Sequence, residues 1–163
     1  PAPWRIERHY GRLRLGKEAA ATPFRCRVKI PGRMRVPAAK VQVTATIGRG
    51  FAREPARIGI FPVRASISLA RMGKRPVIVR SWNAGDRMNP FGMKGSKKLQ
   101  DIFVDLKVPI NHRHGLPVFE CGGEIVWLPG YRIARGWEVP SASSPALHLT
   151  IESLPAPGRR VKL

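Results

Sequence analysis

The chain has 163 residues, enough for one domain or for two small ones that share a core. With 43% apolar and 25% charged residues it is not a disordered chain, and no run approaches the roughly 20 apolar residues of a spanning helix. Thirty Lys+Arg against ten Asp+Glu leave a net charge of +20, which opposes compaction and calls for a polyanionic partner, nucleic acid before a membrane surface.

Residues 1–47 read as short strands. GRLRL, FRCRVKI and GRMRV alternate strictly. In the second, Phe24, Cys26, Val28 and Ile30 point one way and Arg25, Arg27 and Lys29 the other, which predicts a sheet with one packed and one cationic face. Pro31-Gly32 marks a turn, and Lys40–Ile47 continues with β-branched residues. Residues 48–62, with Arg53 and Arg57, look like a connecting loop; Val63–Leu69 is another strand, and Gly73–Pro76 a turn.

The stretch 77–107 looks built for a purpose. A buried strand, Val77–Ser81, leads into a basic loop holding Gly85, Gly92, Gly95, Arg87 and Lys94. A helix is then expected from Ser96, its cap, to a stop at Pro109. Leu99, Ile102, Phe103 and Leu106 form its buried face at i, i+3, i+4, i+7. Lys97 and Lys98 would fall in its first turn, where the helix dipole is already positive, at a cost of about 0.3–1 kcal/mol. A phosphate held there would remove that cost; a solvated lysine pair is the alternative.

Farther on, Val108–Pro117 is an irregular basic connection with His112, Arg113 and His114. Pro117–Cys121 and Glu124–Leu128 predict a hairpin across Gly122-Gly123. Tyr131–Ile133 follows a Pro129-Gly130 turn, Ala134–Glu138 continues it as an edge, and Leu147–Ile151 is a last strand with His148 and Thr150 outward. The fold class is therefore α+β, mostly β-strands with one short amphipathic helix. The expected organisation is a β-rich basic segment at 1–76, a domain at 77–153 and a flexible basic tail at 154–163. Residues 1–80 carry nineteen Lys+Arg against three Asp+Glu, residues 81–163 eleven against seven. The cations of the second half are concentrated in the loop and the lysine pair, which suggests defined contacts rather than a diffuse field.

Catalytic apparatus is scarce. GMKGSKK lacks the spacing of a phosphate-wrapping Walker loop, and no HExxH or GxSxG is present. His112 and His114 have no third ligand, so no metal is expected. Asp101 is expected to pair with Lys97 or Lys98, Asp105 to be solvated or to cap a neighbour, and Asp86 to form a turn. Trp82, Trp127, Tyr131 and Trp137 could stack on bases; Trp127 is expected in the core instead, while Trp82 and Trp137 are open to either role. Cys26 and Cys121 read as buried thiols of a cytoplasmic protein rather than a disulfide. The chain opens PAPW, without an initiator Met or a signal peptide, and is expected to be a piece of something longer.

VRSWNAGDRMNPFGMKGSKKLQDIFVDLKVPINHR, followed by PVF and IVWLPGYRI, closely resembles the C-terminal domain of the tRNA(Ile)-lysidine synthase family from Val77 to Ile133. Residues 1–76 resemble the preceding segment of that family only loosely, through Arg8, Tyr10, Arg12 and Leu13. The resemblance implies a fold similar to a domain of the phenylalanyl-tRNA synthetase β-subunit. It also implies a parent enzyme that uses ATP to ligate lysine to the wobble cytidine of an isoleucine tRNA with a CAU anticodon. ATP and Mg would belong to an N-terminal domain outside this chain, so the chain itself is expected to need no cofactor and to catalyse nothing, while positioning tRNA through its phosphates. Arg80, Arg87, Lys94, Lys97, Lys98, Arg113 and Arg132 match the motif and are the candidate tRNA contacts, and Gly85, Gly92 and Gly95 shape the binding loop. The alternative is a stand-alone basic RNA-binding protein associated with ribosome or tRNA. An apolar face left for the missing domain would equally serve a homodimer.

Overall fold

A computed structural model describes residues 22–51 and 58–154 in full and residues 4–9 and 12–17 as backbone. Arg53, Arg57, Tyr10 and the tail beyond residue 154 lie outside the described residues. The first two strands, β1 (Trp4–His9) and β2 (Arg12–Lys17), form an antiparallel hairpin.

Two larger sheets carry most of the other strands. One has five strands in the order β12 (Arg132–Ile133), β11 (Glu124–Leu128), β10 (Pro117–Cys121), β7 (Val77–Ser81) and β3 (Arg25–Arg27). The other has four: β4 (Gly32–Val36), β5 (Val41–Arg49), β13 (Pro145–Ser153) and β6 (Val63–Ser68). The alternation of FRCRVKI holds: Val28 is buried, Phe24, Cys26 and Ile30 are half-buried, and Arg25, Arg27 and Lys29 are exposed. The ladder of β3 is shorter than the pattern, because the chain turns at Pro31-Gly32 to become the edge of the other sheet. The expected single cationic sheet is thus two neighbouring stretches, each the edge of a different sheet.

β13 lies between β5 and β6, and its Leu147, Leu149 and Ile151 point into the core opposite Ile67, Ala45 and Ala65, and Val43 and Val63. They join one contiguous cluster with Val77, Val79, Val118, Phe119, Val126 and Phe103. The sequence division at 76/77 therefore runs through both sheets and is not a gap in the core.

Short helices close the ends. α1 (Leu69–Met72) is a single turn capped by Ser68, whose Oγ accepts from the Arg71 N–H at 3.2 Å, and it buries Met72. α2 (Leu99–Asp105) is shorter than the periodicity implies, and α3 (Ile110–Arg113) is one turn within the expected irregular connection. Ser96 does not cap α2: the N-cap is Lys98, with no side-chain bond. Leu99, Ile102 and Phe103 are buried as expected, but Leu106 is 48% exposed because the helix has ended and the chain reverses at Lys107, whose φ is +52°. The Gly122-Gly123 hairpin is present, with φ of +61° and +79° as a type I′ turn requires.

Ala134–Glu138 is not an edge strand. Ala134 bridges to Pro90, and the chain then turns Trp137 fully into the core, where its carbonyl accepts from the Ser68 N–H at 2.8 Å. The guanidinium groups of Arg71 and Arg75 lie 5.7 and 5.4 Å from the Trp137 ring centroid.

Candidate nucleic-acid interface

Strand β7 sends Val77 and Val79 into the core and Arg80 to the other face. There Arg80 is 8% exposed. Its Nε donates to Glu120 Oε2 at 2.7 Å, and its two terminal nitrogens grip Asp86 at 2.8 and 3.1 Å. Glu120 Oε1 accepts from Arg25 Nη2 at 2.8 Å. Asp86 in turn accepts from the Asn83 N–H at 2.7 Å, which makes the expected turn, and its carbonyl accepts from the Leu99 N–H at 2.9 Å. One chain of charges, buried at Arg80 and Glu120 and open to solvent at Arg25, thus connects β3, β7, β10, the loop and the start of α2. Arg80, a candidate tRNA contact by sequence, is committed to this framework and is not presented outward.

Hydrogen bonding to Arg25 holds the Glu120 carboxyl below the usual carboxylate range against the opposing effect of burial, and Arg80 adds to it. A carboxyl more acidic in the folded chain means that the unfolded chain takes up the proton more readily. The stability Glu120 contributes is therefore complete above the ordinary carboxylate range and is lost as pH falls through and below it. Melting curves between pH 3 and pH 7 should show this acid limb for wild type and a flatter one for Glu120→Gln; identical slopes would contradict it.

The loop stands on a small hairpin. β8 (Arg87–Met88) pairs with β9 (Lys97–Lys98), and Arg87 lies directly opposite Lys98. Lys97 and Lys98 are therefore strand residues and not the first turn of α2, so the helix-dipole argument for an anion lapses. A different charge conflict replaces it, since like charges facing each other across a ladder are unfavourable. Arg87 reaches along the hairpin to Ser96, donating to its Oγ at 3.0 Å and its carbonyl at 3.2 Å. Lys97 pairs with Asp105, not with Asp101.

The loop tip is fastened to β12. The Phe91 N–H donates to the Ile133 carbonyl at 2.9 Å, the Arg135 N–H to Asn89 at 2.7 Å, and Arg132 Nη1 to the Phe91 carbonyl at 2.8 Å. Gly92 has φ +77°, which favours glycine, and a Cβ there would press on Arg132 Nη1 at 3.2 Å, so that side chain would have to shift. Gly85 and Gly95 share the positive φ, at +92° and +77°. Arg113 turns back to its own segment, donating from Nε to the Val108 carbonyl at 2.8 Å.

The seven sequence candidates thus separate. Arg80 is interior, Lys97 is shared with a carboxylate, and Arg87, Arg113 and Arg132 hold the backbone while keeping part of the guanidinium free. Lys94 and Lys98 are exposed with no partner among the described residues. The three tryptophans in question fall to packing, Trp137 in the core as described above. Trp127 is buried beside Phe119, and Trp82 donates to the Arg113 carbonyl at 2.6 Å and meets Phe103 edge-on at 5.0 Å. Cys26 and Cys121 are both free thiols, and Cys26 is only half-buried. Sequence reasoning missed Glu120; a lone acid in the otherwise apolar run PVFEC was its signal.

Residues 77–149 match the family model described as the TilS substrate C-terminal domain. A tRNA(Ile)-lysidine synthase of Symbiobacterium thermophilum is 36% identical over 158 residues, covering 93% of this chain but 32% of that protein. One from Caldanaerobacter subterraneus is 40% identical over 74 residues, covering 45% of this chain and 16% of that protein. The chain therefore spans at most about a third of the length of these relatives. A crystal structure of a TilS C-terminal domain superposes with a TM-score of 0.68 over 83% of this chain and all of that one, at 23% identity, so the fold is shared.

Proposed function

Residues 77–149 form a C-terminal domain of the tRNA(Ile)-lysidine synthase family, and from that premise we propose that the chain holds tRNA for that enzyme through phosphate contacts. The observation that carries the reading is the β8–β9 hairpin. Arg87, Lys94 and Lys98 sit on one well-bonded platform, and among the described residues the two lysines have no carboxylate to neutralise them. A platform of this kind places point charges along a backbone and reads few base edges, which suits a domain that positions its substrate. In the parent enzyme, lysine and ATP with Mg are handled by another domain. The reaction is ligation of lysine to the wobble cytidine of the isoleucine tRNA with a CAU anticodon, in the cytoplasm.

The test is tRNA affinity of the chain across a salt series. Lys94→Ala/Lys98→Ala should lower the slope of log affinity against log salt by about 2, one for each lost phosphate contact. Affinity should fall for matched and mismatched tRNAs alike. An unchanged slope would remove the hairpin from the interface.

A further inference from the structure

Away from the hairpin, the surface has an open hollow of about 560 Å³, lined by residues 27–30, Ile47 and residues 72–77. Its floor is apolar. Val28, Met72 and Val77 are buried there, Ile30 is half-buried, and Ile47 is 53% exposed in a strand whose other apolar side chains are covered. Arg27, Lys29, Lys74 and Arg75 line it as well, all exposed, and none of the described lining residues is acidic. None of the four has a carboxylate partner among the described residues. Arg75 is fixed in place: its Nε donates to the Met72 carbonyl at 3.1 Å, its Nη2 to the Arg71 carbonyl, and its guanidinium lies over Trp137.

The two halves of this lining select the occupant. A duplex backbone would use the cations but leave the apolar floor wet, because its bases are turned inward. A small free anion would leave most of the volume unfilled. An unpaired nucleotide uses both, with its ring excluding water from Ile30 and Ile47 and its flanking phosphates meeting Arg27, Lys29 and Lys74. We infer that this hollow receives one unpaired nucleotide of the bound RNA. The inference rests on the RNA-binding reading above and adds a second point of contact. The hollow lies at the Val77 end of β7 and the loop leaves its Ser81 end, about 13 Å away at the rise of a strand. The two therefore engage different parts of one RNA.

The test uses the chain and two labelled RNAs, a blunt stem-loop and the same stem-loop with a short single-stranded overhang. Wild type should bind the overhang RNA at least about fivefold more tightly, the low end for base stacking because the floor is aliphatic. Ile47→Glu, which puts a carboxylate at an exposed position of the hollow, should abolish that preference and leave blunt-RNA affinity within about threefold, the salt-dependent effect of one added charge. Lys74→Ala, on an exposed turn, should reduce the preference without risk to the fold. Equal wild-type affinities for the two RNAs, or a preference that survives in both variants, would overturn the inference while leaving the proposed function standing. An Asp/Glu-rich peptide that binds wild type more tightly than the overhang RNA, and fails on Lys74→Ala, would overturn it in favour of a protein partner. Failure of both RNAs to bind would defeat the proposed function, and the hollow's role with it.

Discussion

Glu120→Ala should destabilise the chain by about 3 kcal/mol, the low end for breaking a buried ion pair, because the Arg25 side of the network is open to solvent. For a chain of this length that lowers Tm by roughly 6–12 °C. The loss comes mainly from Arg80, which stays buried with the Asp86 carboxylate and the Ser81 carbonyl as its remaining acceptors. Arg80→Met/Glu120→Leu, which removes both partners, should recover part of the loss despite deleting more hydrogen bonds. Thermal melts of the single and double variants decide it; a double variant no more stable than Glu120→Ala would show that the network stabilises through its bonds and not merely by cancelling charge. Because Asp86 takes its orientation from Arg80, the loop should also become more open to hydrogen exchange around Asn83–Asp86.

Phe103→Ala should cost more, about 3–5 kcal/mol. The ring is completely enclosed, meets Trp82 edge-on and is the largest buried side chain of α2. Leu106→Ala, one turn further on, should change stability by less than about 0.5 kcal/mol, since half of that side chain is already in water. The contrast measures where the helix stops. Equal losses at the two positions would mean that α2 continues past Asp105 in solution. The same experiment reads out the hairpin: the carbonyl of Asp86 holds the Leu99 N–H, so loosening α2 should weaken RNA binding beyond the change in fold stability alone.

The strands were legible because a period of two is a local signal. FRCRVKI, GRMRV, Val77–Ser81 and the Gly122-Gly123 hairpin all stand as alternation and turn chemistry require. The start of α2 was not legible. Ser96 looks like a cap within its own neighbourhood, but the backbone of Lys97 and Lys98 is taken by Arg87–Met88, on the far side of an eight-residue loop. A one-turn helix such as α1 is too short to show a period at all. Arg80 shows the limit for charge: an arginine that faces RNA and one that faces Glu120, forty residues away, look the same in a list of cations. The basic hollow was hidden for a similar reason, since Arg27 and Lys29 come from one segment and Lys74 and Arg75 from another, and only the pairing of β3 with β7 brings them together.

The central place of β13 has a consequence for synthesis on the ribosome. Its partners β5 and β6 precede it by far, with Gln42 facing Glu152 at a separation of 110 residues, and they have no direct ladder to each other. While residues 145–153 are still inside the exit tunnel, both carry bare edges and uncovered valines. Such a chain matures late and depends on non-local closure, which is slow and leaves time for aggregation. With nineteen Lys+Arg against three Asp+Glu in residues 1–80, copies of such a chain repel one another, which opposes their association while those edges are bare.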